Sequence, residues 1–160
     1  MDLHNRKKIR LANYDYSSVG AYFVTLCIKN KEHNLSQIIV GDGFPVPKNT
    51  AYGDIVEKYI NQIKTKYPNV SVEKFVIMPN HIHMIIVISH NWTGNPSPTI
   101  GNIMGWFKYQ TTKMVNNIRN SPAESLWQRS YFDHIIRGLQ DYEEQWRYID
   151  ENPVRWVYKI

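Results

Sequence analysis

Met78-Pro79-Asn80-His81-Ile82-His83-Met84-Ile85-Ile86-Val87-Ile88 is the stretch whose reading decides the fold. After Pro79-Asn80 the run is short, apolar and rich in β-branched residues, which predicts a buried strand rather than a helix. Side chains alternate between the faces of a strand, so His81 and His83 share one face. Two imidazoles held side by side on a rigid element make half of a metal site. Val70–Met78 also reads as a strand, and the break at Pro79-Asn80 is short, so the two segments predict an antiparallel hairpin.

The flanking sequence extends this hairpin into a fold. Gly20 opens Ala21–Ile28, a first strand. Leu35–Val40 reads as a possible short strand, and the turn-rich Gly41-Asp42-Gly43-Phe44-Pro45-Val46-Pro47 reads as loop. From Thr50 to Tyr67 the period becomes helical, with Ile55, Tyr59, Ile60 and Ile63 on one side and Pro68 as the stop. Residues 89–98 read as loop. Thr99 can cap a helix over Ile100–Asn117, with Ile103, Phe107, Thr111 and Met114 along its apolar stripe. Leu126–Arg137 predicts a final strand region, and Asp141 a cap for a last helix that stops at Pro153. The order is βαββαβ plus a terminal helix. That is an α+β, ferredoxin-like fold: a four-stranded antiparallel sheet with helices on one face and a C-terminal helix. One domain over residues 1–160 is expected, with residues 1–16 as a basic N-terminal arm.

Composition narrows the function classes. The chain has 160 residues, 42% of them hydrophobic and 21% charged, a globular balance. No apolar run is long enough to span a bilayer, and Leu3–Asp15 is too polar for a signal peptide. The lone Cys27 excludes an internal disulfide framework and suits a reducing compartment, so a cytoplasmic protein is expected. The net charge of +5 points to a polyanionic partner, and eleven Tyr with five Trp supply faces on which bases can stack. Arg6, Lys7, Lys8 and Arg10 in the arm, with Lys113, Arg129 and Arg137, are the candidate DNA-binding cations. Trp106 and Trp127 are candidates for stacking or for the core.

The terminal helix offers a second half for the histidine site. Tyr148 and Asn152 are four residues apart and share a helix face. Asn152 precedes Pro153, which is expected to place it at the helix end. An amide oxygen there could approach a metal, with the tyrosine hydroxyl one turn back. Two histidines and one oxygen leave coordination positions open, as catalysis needs. Tyrosine is a poor nucleophile at neutral pH. Phosphodiester transesterification suits it, because a metal can neutralise charge on the phosphate and the covalent phosphotyrosine retains the bond energy.

These residues resemble a known family. His81-Ile82-His83 within Met-Pro-Asn-His-Ile-His is similar to the motif of the HUH single-tyrosine transposases, the IS200-like transposases of insertion sequences. Trp127-Gln128-Arg129-Ser130-Tyr131-Phe132-Asp133-His134 and Tyr148-Ile149-Asp150-Glu151-Asn152-Pro153-Val154 look most like segments of the REP-associated tyrosine transposase branch. The resemblance covers roughly residues 10–157. It implies Tyr148 as nucleophile, His81, His83 and Asn152 as metal ligands, and Mg or Mn as the divalent metal. Insertion-sequence members usually carry Gln at the position of Asn152. The implied reaction is cleavage and rejoining of hairpin-containing single-stranded DNA through a 5′-phosphotyrosine, by a monomer or a homodimer.

Other readings compete. Tyr131 and Tyr142 are rival hydroxyls, but neither has an oxygen ligand four residues on. His134 is either a further site residue or a strand histidine with its own partner. A His-x-His-x-His nucleotidyl hydrolase is excluded by Ile85 at the third position. A two-histidine iron oxygenase would want a carboxylate ligand and a β-barrel. The alternative from a different class is a non-catalytic, domesticated module that binds hairpin DNA without cutting it.

Overall fold

The computed structural model describes residues 19–90 and 96–160; the basic arm, with Arg6, Lys7, Lys8 and Arg10, lies outside them. Among these residues six strands and three α-helices follow in the order β1 (Gly20–Cys27), β2 (Ser36–Ile39), β3 (Val46–Asn49), α1 (Ala51–Lys66), β4 (Val70–Ile77), β5 (His81–Ile88), α2 (Ile100–Arg119), β6 (Phe132–Ile136) and α3 (Gly138–Tyr158). The main sheet has the order β4-β5-β1-β6. Each neighbouring pair in it is antiparallel. This is the ferredoxin-like arrangement that the element order predicts. The hairpin reading of Val70–Ile88 holds, with Met78 donating to the His81 carbonyl across the turn at 2.8 Å.

The strand alternation divides two cores. Tyr22, Val24 and Leu26 of β1, with Ile82, Met84 and Ile86 of β5, pack against Val56, Ile60 and Ile63 of α1 and Ile103 and Phe107 of α2. The intervening residues Phe23 and Ile85 face the other way and pack with Ile149 of α3. The central strand pair β1–β5 is therefore apolar on both faces, and α3 covers the face opposite α1 and α2. His81 and His83 fall on the α3 face by the same parity. Thr50 caps α1 through the Gly53 N–H, and Thr99 caps α2 in a reciprocal box with Asn102.

Several expectations need correction. Val46–Asn49 is not loop but pairs with Ser36–Ile39 as a small second sheet. The final strand is Phe132–Ile136 only. Leu126 and Trp127 are apolar because they fill the first core, where the Trp127 indole donates to Thr111 Oγ1 at 2.9 Å. Trp127 is thus not a stacking platform. On α2, Val115 rather than Met114 continues the buried stripe.

Two further corrections concern α3. It does not stop at Pro153 but continues to Tyr158, with Pro153 buried inside it. An interior proline costs about 3 kcal/mol. Packing of Ile149 against the sheet, and of Trp156 beside His33 and His81, holds the helix on both sides of it. Nor does Asp141 occupy the cap position. Arg137 does, and Asp141 reaches back from the first turn to accept its N–H at 2.8 Å.

Candidate active site between β5 and α3

His81 and His83 stand with ring centroids 4.7 Å apart. Each ring has its Nδ1 occupied. His81 Nδ1 donates to Asn80 Oδ1 at 2.6 Å, so its Nε2 carries the lone pair. His83 Nδ1 is 2.7 Å from Thr25 Oγ1. Thr25 is the residue directly opposite His83 on β1. His83 is 5% exposed, and its Nε2 is buried without a hydrogen-bond partner.

Both histidines are held neutral. Burial lowers His81 below its ordinary value, with a hydrogen bond from Asn152 opposing. Burial and then the neighbouring His81 bring His83 down to about 3, again against Asn152. The Asn152 amide thus stands beside both rings, without meeting His83 Nε2 in hydrogen-bond geometry.

α3 supplies the other wall. The Tyr148 ring meets His83 edge-on at 5.3 Å and Phe23 at 5.9 Å. Phe23 also stacks on His83 at 5.2 Å. Tyr148 remains 40% exposed, whereas Asn152 is 7% exposed. Asn152 Nδ2 donates to the Tyr148 carbonyl one turn back at 2.6 Å, which leaves Oδ1 as its accepting atom. Asn152 lies inside the helix rather than at its end, because α3 runs through Pro153. The Arg155 guanidinium sits 5.6 Å over the Tyr148 ring. A cleft of about 440 Å³ opens beside these groups, lined by Phe23, Thr25, His83, Phe132, His134, Gln145 and Tyr148.

The donor set suits a divalent cation. Neutral imidazoles, an orphaned buried Nε2, and second nitrogens fixed by Thr25 and Asn80 are what metal-binding histidines require. Among the described residues no group of three or more His, Cys, Asp and Glu stands together to hold a metal. The third donor available here is the Asn152 amide oxygen, which falls outside that set. His81, His83 and Asn152 could hold an oxygen-tolerant ion such as Mg²⁺ or Mn²⁺ and leave positions open.

The remaining predicted residues separate. Lys113 and Arg129 are exposed and line adjoining clefts beside α2, where Lys29 and Lys108 join them. The sequence reading missed those two lysines. Lys108 donates to the carbonyls of Gln128 and Arg129, so it also shapes the segment before β6. Arg137 is exposed at the start of α3. Thr25 and Asn80 were also missed. Thr25 was findable from the alternation of β1 only once its pairing with β5 was known. Tyr142 packs with Trp146 at the second core and Tyr131 against the first, so neither rival hydroxyl joins the histidines. Among the described residues no helix is long and apolar enough to cross a membrane.

The model of the family "Transposase IS200 like" matches residues 44–152, more than half of the chain. A Haemophilus influenzae protein of unassigned function is 35% identical over 170 residues, covering 96% of this chain and 91% of its own. A second H. influenzae protein, named provisionally as a REP-associated tyrosine transposase, is 26% identical over 154 residues, covering 92% of this chain and 79% of its own. The solved structure of a REP-associated tyrosine transposase bound to a REP hairpin shares the fold, with a TM-score of 0.67 and 21% identity over 92% of this chain and 74% of that one. The chain is a member of the IS200-like transposase family.

Proposed function

We propose that this transposase is a metal-dependent single-stranded DNA endonuclease of the REP-associated kind, which cuts and rejoins hairpin-bearing DNA through a 5′-phosphotyrosine on Tyr148. The observation that carries the reading is the position of Tyr148: its ring lies 5.3 Å from His83, on the one face of the sheet where two neutral histidines stand together. His81 Nε2, His83 Nε2 and Asn152 Oδ1 are the proposed ligands of Mg²⁺ or Mn²⁺. When bound there, the cation supplies positive charge against a nonbridging oxygen of the scissile phosphate.

The chain's own residues do the rest. Phe23 and His83 both pack against the Tyr148 ring, and its exposure leaves it open to DNA. Attack of the phenol oxygen on phosphorus forms the Tyr–O–P bond as the P–O3′ bond breaks, leaving a free 3′-OH. Reversal by a 3′-OH rejoins strands. The hairpin as substrate is supported by the REP hairpin bound in the structural relative.

Incubation with single-stranded hairpin oligonucleotides and Mn²⁺ tests the reading through a covalent protein–DNA adduct. The adduct is expected with the wild type and not with Tyr148→Phe. An adduct that survives Tyr148→Phe sinks the nucleophile assignment. Cleavage that survives both His81→Ala and His83→Ala sinks the metal role. Hairpin binding without any adduct identifies a binding module instead.

A further inference from the structure

The cleft beside Tyr148 contains a second histidine system that the metal set does not use. His134 lies on β6, directly opposite Phe23 of β1. Phe23, Thr25 and His83 belong to the same face, so His134 points to the side covered by α3. β1 lies between β5 and β6, which separates the backbones of His83 and His134 by about 10 Å. His134 is therefore too remote in the sheet to belong to the histidine pair, yet it lines the same cleft as Tyr148.

Its orientation is specified. His134 Nε2 lies 2.8 and 3.0 Å from the two carboxylate oxygens of Asp141. Asp141 is itself fixed, accepting the Arg137 N–H at 2.8 Å and the Gln145 amide at 3.1 Å. Burial pushes the Asp141 carboxyl up, but those donors and His134 outweigh it and keep it below its ordinary value. An ionised carboxylate only accepts hydrogen bonds, so in the neutral ring the Nε2 proton faces Asp141 and Nδ1 carries the lone pair. The charged and titratable groups around His134 are Asp141 and Tyr148 from α3 and His83 across β1. A carboxylate that fixes one imidazole nitrogen and frees the other as a base is the arrangement that activates hydroxyl nucleophiles elsewhere.

We propose that His134, oriented by Asp141, is the proton acceptor for Tyr148 in strand cleavage. The inference rests on the phosphotyrosine reading above. The phenol proton passes to His134 Nδ1 as the phenol oxygen bonds to phosphorus. The P–O3′ bond breaks, its electron pair leaves with the 3′ oxygen, and the imidazolium protonates that oxygen. Imidazole returns to its starting form and no further reactant is consumed. Asp141 is a positioning residue, acting only through His134.

Single-turnover adduct formation on a hairpin oligonucleotide with Mn²⁺ tests this. His134→Ala is expected to slow the adduct by about 10²-fold or more, with hairpin affinity retained. Added imidazoles are expected to restore the rate, more so the more basic they are. Asp141→Asn is expected to slow the reaction less, without rescue, and it carries the test if His134→Ala does not fold. A wild-type rate in either variant overturns the proposal. So does a slow, folded His134→Ala protein that no imidazole rescues, which would give the pair a purely structural role in pinning α3. If the wild type itself forms no Tyr148 adduct, the proposed function fails and takes this inference with it. If it does and His134→Ala matches it, this inference alone falls.

Discussion

His83 is neutral because of where β5 places it. The ring is nearly enclosed, and His81 stands beside it, so adding a proton is opposed by both burial and like charge. The consequence for stability has a definite sign. Between an ordinary histidine value near 6.5 and about 3, the unfolded chain binds a proton that the folded chain does not. Stability therefore rises with pH across that window and falls on acidification, with a slope of at most about 1.4 kcal/mol per pH unit from this group. Urea unfolding of the metal-free protein near pH 7 and near pH 5 is expected to differ by up to about 2 kcal/mol from this source. His83→Gln should remove that share of the difference, and an unchanged pH dependence in the variant would refute the assignment. Thr25 acts on the same ring from β1. Thr25→Val leaves His83 Nδ1 without its partner, and Mn²⁺ affinity is expected to fall about 10–100-fold by titration calorimetry. The histidine pair was legible because strand parity is a property of consecutive residues. Thr25 was not, since its role depends on the register between two strands far apart in sequence.

At the scale of elements, α3 decides how the site is assembled. The helix brings Tyr148 and Asn152 to β5, and one of its ties to the sheet lies at the β4 edge. Lys74 of β4 pairs with Asp150 at 2.6 Å and lies 4.7 Å over the Trp146 ring. Asp150 is half exposed, so the ion pair is screened and contributes less than about 1 kcal/mol. The cation–π contact adds a similar amount. Lys74→Met is therefore expected to lower global stability by less than about 2 kcal/mol. It should instead speed amide hydrogen exchange in α3 more than in β1 or β5. Equal acceleration in helix and sheet would show that this tether does not govern the helix. The elements themselves were legible wherever periodicity was strong, as in β4, β5, α1 and α2. Reading failed where tertiary packing overrode local signals. Pro153 reads as a stop, but buried neighbours on both sides carry the helix past it. Leu126-Trp127 reads as strand, but its apolar side chains fill the core beside α2 from an irregular segment. Val46-Pro47 reads as loop because Val46–Asn49 is only four residues long, contains a proline and buries none of its side chains.

Over the whole molecule the sheet separates two surfaces with different chemistry. The histidines, Tyr148 and His134 occupy the α3 side. Lys29, Lys108, Lys113 and Arg129 gather beside α2, the helix packed on the other face. The net charge of +5 points to an anionic partner but not to this grouping, because cations distant in sequence meet only after folding. Lys113 and Arg129 are exposed and free of any ion pair seen among the described residues, so each can meet a phosphate without giving up an internal partner. Lys108 differs, since its ammonium already serves two backbone carbonyls. If this cleft receives the DNA backbone, binding must release counterions in proportion to the phosphates neutralised. The affinity for a hairpin oligonucleotide, followed by fluorescence anisotropy, should then fall linearly with salt on logarithmic axes. Lys113→Ala and Arg129→Ala should each reduce that slope by about 0.7 to 0.9, and weaken binding to all hairpin sequences alike. Neither should change the rate of adduct formation at saturating DNA, because both lie outside the Tyr148 cleft. A slope that stays at its wild-type value in both variants would move the DNA path away from α2, leaving the basic arm and Arg137 as its cationic contacts.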